Sequence, residues 1–173
     1  MINVLKLRKI LGWLGAALPL IVAALYMIFE VGTFSLPASI SATYYVSSCI
    51  TPFMIILGAA GILLICYNGY DKQDQLVCTL AGIFGLCICL FPCYTSGLNI
   101  HWPNVIFPKN VGTFQLPVDI SGMLHNTSAV IFFGLLAIAV ALMVKSMGGI
   151  VNVVISVAAL TGVPLYLPVI WSM

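Results

Sequence analysis

Five apolar runs of about 20 residues, Ile10 to Phe29, Tyr44 to Tyr67, Leu76 to Thr95, Leu124 to Val144 and Gly149 to Trp171, constrain this chain more than any other feature. A helix of that length crosses about 30 Å of hydrocarbon with all its backbone groups bonded internally. Strands do not fit, because the runs lack period-two alternation and a spanning barrel needs at least about eight of them. A soluble core does not fit either. With 62% apolar residues, 6% charged and a mean hydropathy of +1.20, the 173 residues carry too little polar surface to cover their apolar groups. The expected fold is an all-α integral membrane bundle of five transmembrane helices.

The chain also repeats itself. Val31 to Ser41, VGTFSLPASIS, returns as Val111 to Ser121, VGTFQLPVDIS, with eight of eleven positions identical. Chance agreement at about one position in sixteen does not produce this. Each copy follows one apolar span and leads into another, so a duplicated half runs from about residue 10 to 68 and a second from about 76 to 145. The span at 149–171 is left without a counterpart. Gly32 and Gly112 allow backbone angles closed to other residues and Pro37 and Pro117 fix φ, so the loop reads as an ordered turn. Ser39 or Ser41 in the first copy, and Asp119 or Ser121 in the second, suit the N-cap of the helix that follows.

Orientation follows from the cations. Lys6, Arg8, Lys9, Lys72 and Lys145 fall on one side of five alternating helices and Lys109 on the other, which assigns the first side to the cytoplasm. The N-terminus is expected inside and the C-terminus outside, in the cell membrane, and both repeat loops on the outer face. Each loop then feeds a descending helix, so the repeat is parallel, with its axis along the membrane normal.

The two copies differ immediately after the shared segment. Tyr44 and Tyr45 begin one descending helix where Leu124 and His125 begin the other. Tyrosines at that depth suit the interface belt, while an ionisable group entering hydrocarbon marks a candidate site. Ligand binding is therefore expected at Tyr44, Tyr45 and His125. His101, His125 and Asp119 are the three groups with which the outer side could hold a catalytic zinc, although no paired-histidine spacing accompanies them. Ser41, His125 and Asp119 are the corresponding nucleophile, base and orienting acid of a hydrolase, without a Gly-x-Ser-x-Gly elbow.

Six cysteines are many for this length. Buried thiols acting as small apolar groups account for most, but Cys49 and Cys93 lie at similar depth near the outer ends of adjacent spans, where an oxidising exterior could link them. In the polar loop between spans two and three, Asn68-Gly69 marks a turn, with Asp71 or Asp74 placed to cap span three. Gly58, Ala59, Ala60 and Gly61, facing Gly82 and Gly85, would allow spans two and three to approach closely. No phosphate-binding glycine loop, dinucleotide fingerprint or basic patch for nucleic acid is present, and no cofactor is expected.

Leu36-Pro37-Ala38-Ser39-Ile40-Ser41, then Ala81-Gly82 with Leu90-Phe91-Pro92, then His125 with Ser128-Ala129 and Phe132-Phe133, resemble the bacterial multi-span family allied to the damage-regulated autophagy modulator (DRAM-like) proteins. The resemblance covers spans two to four. Those relatives usually have six spans, whereas five are read here, and the resemblance implies a membrane role without an assigned active residue. The leading expectation is a non-catalytic membrane protein that binds lipid or an apolar small molecule, or serves as a membrane subunit beside other protein chains. The alternative is an outward-facing hydrolase or metalloenzyme centred on His125.

Overall fold

The computed structural model describes residues 4–31, 39–68, 71–94 and 109–147. Four helices form the body: α1 (Val4–Tyr26), α2 (Ser47–Ile65), α3 (Lys72–Leu90) and α4 (Val118–Met147). All four contain a segment long and apolar enough to cross a membrane, at Lys9–Phe29, Ser47–Ile65, Lys72–Leu90 and Val118–Leu142. The chain is thus a helical protein of integral membrane character. The expected fifth span, Gly149 to Trp171, lies outside the described residues, as do most of the first repeat copy and His101.

Helix boundaries depart from the hydropathy reading for local chemical reasons. Span three was expected to open at Leu76, but Asp71 accepts the Asp74 N–H at 2.8 Å and so starts the helix one turn earlier. It closes at Leu90 rather than Thr95, because Pro92 lacks an N–H and drives Phe91 into extended backbone. Span four was expected from Leu124, whereas α4 begins at Val118, directly after a two-stranded hairpin. That hairpin pairs β1 (Asn110–Val111) with β2 (Leu116–Pro117), and its turn places Gly112 at φ +76° and Gln115 at φ +50°. Helix α1 runs on through a short π-helical turn, Met27–Val31, and a 3-10 turn, Ser41–Tyr45, precedes α2.

The helices pack in series: α1 on α2, α2 on α3, and α3 on α4. Between α2 and α3 the expected small-residue seam is present, and Gly61 and Gly82 form its closest approach. A Cβ added to Gly82 would lie 2.5 Å from the Gly61 carbonyl oxygen and 2.9 Å from the Ile65 nitrogen, whereas Gly58 has open space around it. Backbones in such contact gain dispersion energy that larger residues would forbid. Tyr67, Phe53, Leu57, Cys78, Ala81 and Ile88 fill the remainder of this core.

Candidate functional site

Where α3 ends, four residues leave the helix: Phe91, Pro92, Cys93 and Tyr94. Terminating a helix strands its last carbonyls, and in an apolar setting an unpaired polar group costs several kcal/mol (about 2–7). Here three successive carbonyls are taken by side chains from neighbouring elements. His125 Nδ1 donates to the Phe91 oxygen at 2.7 Å, Ser121 Oγ donates to the Pro92 oxygen at 2.9 Å, and the Tyr45 hydroxyl donates to the Cys93 oxygen at 2.7 Å. Close packing completes the clasp. A Cβ on Gly112 would sit 2.7 Å from Pro92 Cδ, and one on Gly122 would meet the Tyr94 ring at 2.6 Å.

His125 is the hub. It lies about 10 Å along α4 from Val118, is only 2% exposed, and has a partner on each ring nitrogen. A carbonyl can only accept, so Nδ1 carries the hydrogen. In the neutral ring Nε2 is then the acceptor, and Ser41 Oγ, 2.8 Å away, donates to it. Ser41 is held at a second point, because the Cys93 thiol donates to its carbonyl oxygen at 3.3 Å. Next along the chain, the Ala42 N–H donates to Ser39 Oγ at 3.0 Å. Ser39 thus takes one N–H of the 3-10 turn, whose N-cap position is Ile40, while Ser41 reaches across to α4.

The structure unites some of the sequence candidates and separates others. Ser41 and His125 meet, and Tyr45 joins the same clasp. Tyr44 stands half-buried beside it with the two tyrosine rings 5.6 Å apart, edge to face. Asp119 is exposed on the first turn of α4 and makes no hydrogen bond or ion pair with the described residues, so the orienting partner of His125 is the Phe91 carbonyl and not that carboxylate. Ser121 is not a cap for α4, since its hydroxyl is turned to Pro92. Among the described residues no group of three or more His, Cys, Asp or Glu side chains could hold a metal. Cys49 and Cys93 are not joined to each other: their thiols are directed at the carbonyls of Val22 and Ser41 respectively.

Burial shapes the acid–base character of the groups outside the spans. It pushes the Cys93 thiol up to about 12, partly offset by a backbone hydrogen bond, and it raises the Tyr45 phenol with help from neighbouring Cys93 and Tyr44. Tyr44 is raised by burial and then by Cys89. These groups stay protonated across the physiological range, and Cys93 and Tyr45 act as donors.

The clasp has a counterpart at the other end of the bundle. Tyr67 donates to Asp74 Oδ2 at 3.2 Å and the Cys78 thiol to Asp74 Oδ1 at 3.8 Å, anchoring the loop that joins α2 to α3. No protein-family model matches the chain, and neither curated proteins nor solved structures give a significant match.

Proposed function

We propose that the chain is an integral membrane protein that binds lipid or an apolar small molecule at the His125 end of its bundle, with service as a membrane subunit as the companion role. The observation that carries this reading is how the two kinds of side chain are distributed. At the His125 end the hydroxyls of Ser41, Ser121 and Tyr45, the Cys93 thiol and the imidazole are all turned to internal partners. Large apolar residues face outward: Phe114, Ile120, Met123 and Val130 around α4, and Trp13, Leu20, Ile28 and Phe29 along α1 and the π-helical turn that continues it. A surface of that kind is covered by acyl chains or by another apolar helix.

The finer architecture belongs to the same proposal. Five spans, a parallel duplication, a cytoplasmic N-terminus, an outer C-terminus and residence in the cell membrane rest on the apolar runs, the repeated segment and the cation distribution. Kinship with the DRAM-like family rests on the short segments that carry it. Under this orientation the His125 end is the outer one.

Purification of the full chain in mild detergent, followed by native mass spectrometry and solvent extraction, tests the reading. A lipid or apolar molecule retained at about one per chain after extensive washing is the expected result. A chain that emerges free of lipid, alone and stable removes both the ligand role and the subunit role.

A further inference from the structure

We propose that Ser41 and His125 form a nucleophile–base pair that accepts acyl groups from carboxylic esters of lipids, deepening the lipid-binding reading on which the choice of substrate rests. Three features of the site support it. Ser41 Oγ lies 2.8 Å from His125 Nε2, within hydrogen-bond reach. The other ring nitrogen is fixed at 2.7 Å from the Phe91 carbonyl oxygen, which sets the tautomer that leaves Nε2 ready to accept a proton. Exposure is graded in the useful direction, with the serine half-buried and the imidazole only 2% exposed. A backbone carbonyl thus fills the orienting place for which the sequence offered Asp119.

The lipid class follows from position. Ser41 stands at the bundle end, one residue before the buried pair Ala42 and Thr43 and a short turn ahead of α2, where the membrane-crossing segment begins. Ester linkages of bilayer lipids lie at that boundary between headgroup and hydrocarbon. In the forward step Ser41 Oγ attacks the ester carbonyl carbon as its proton passes to Nε2. The bond to the alcohol oxygen then breaks, and the departing alkoxide takes that proton. Water restores the serine by the same route, giving up a proton to Nε2 as it attacks the acyl-serine and releasing the carboxylic acid.

Turnover is slow in this arrangement. The amide next to the nucleophile, Ala42 N–H, is engaged by Ser39 Oγ at 3.0 Å, and a missing oxyanion donor lowers such rates by about 100- to 1000-fold. Covalent capture is therefore the sensitive measurement. The full chain in lipid nanodiscs is treated with an alkyl fluorophosphonate, which forms an O–P bond to an activated serine with loss of fluoride, and the adduct is located by peptide mass spectrometry. The expected result is a single adduct on Ser41, absent in Ser41→Ala and formed at least about 100-fold more slowly in His125→Gln. No adduct on wild-type Ser41, or an adduct formed at the same rate in a folded His125→Gln, overturns the proposal. Should His125→Gln fail to fold, the comparison of wild type with Ser41→Ala decides alone. The two readings fail separately: retained lipid without an adduct removes the chemistry, whereas an adduct without retained lipid removes the lipid reading and keeps the reactive serine.

Discussion

Tyr45 and His125 stand at the same offset from Val31 and Val111, the first residues of the two repeat copies, and each donates a hydrogen bond of 2.7 Å to the segment that ends α3. One turn earlier, Ser41 and Ser121 are likewise sequence equivalents. Ser121 bonds Pro92 directly, and Ser41 reaches the segment through His125 and through its own carbonyl on the Cys93 thiol. Residues at matched positions of the sequence therefore hold the segment after α3 from two sides. Their backbones differ in doing so, since Ser41–Tyr45 is a 3-10 turn and Ser121 to His125 lies within continuous α-helix.

Removing the phenol from this grip tests how much the clasp contributes. Tyr45→Phe keeps the ring and its packing on Tyr44 but leaves the Cys93 carbonyl without its donor. A net loss of about 1–2 kcal/mol is expected. For a chain of this size that lowers the thermal midpoint by roughly 2–8 °C. An unchanged midpoint in a detergent thermal-shift assay would show that another donor already serves the carbonyl.

Gly82→Ala should be far more damaging than its single methyl suggests. The new carbon would sit 2.5 Å from the Gly61 oxygen, and both obstacles, Gly61 O and Ile65 N, are backbone that cannot turn aside. Separation of α2 from α3 is expected to cost about 2–3 kcal/mol. Gly134→Ala, with nothing within 4 Å, is the internal control and should be neutral or slightly stabilising. Equal unfolding midpoints for the two variants would contradict the close approach.

These residues also mark where sequence reasoning works. Long apolar runs located four membrane-length helices, because hydropathy over about 20 residues answers to bilayer thickness alone. Ser41 could be named as a partner for His125, since an imidazole in an apolar setting requires one. The Phe91 carbonyl could not, because which backbone oxygen is stranded depends on where α3 stops. Pro92 is the residue whose local effect contained that information. Nor could pattern reveal that Asp119 would face away, because α4 begins six residues before its apolar run and so turns that carboxylate to the exterior.

Topology gives a separate test of the cation asymmetry. Single cysteines placed beside Lys72 and beside Lys109, in a Cys66→Ser background, are expected to report opposite sides of the membrane. A membrane-impermeant maleimide should label the Lys109 site in intact cells and reach the Lys72 site only after lysis. Labelling of the Lys72 site from outside reverses the orientation, and equal labelling of both removes the alternation on which it rests.

Cys93 and the exposed Cys66 should differ sharply towards alkylating reagents. Burial raises the Cys93 thiol from 9.0 to about 12, so at pH 8 its thiolate fraction is about one in ten thousand, while Cys66 is open to reagent. Iodoacetamide at pH 8 should therefore modify Cys66 within minutes and leave Cys93 intact while the fold persists. The same shift couples to stability with a definite sign. Folding raises the pKa, so the protonated thiol favours the folded state, and its contribution is complete below about pH 9 and is lost as the pH climbs towards 12. Tyr45, whose phenol is also raised, adds to the loss at the alkaline end. Unfolding midpoints measured from pH 7 to 11 should be level at first and then fall. Replacement by Cys93→Ala removes the thiol that titrates and should flatten the early part of that decline, whereas an identical pH profile would place the alkaline sensitivity elsewhere.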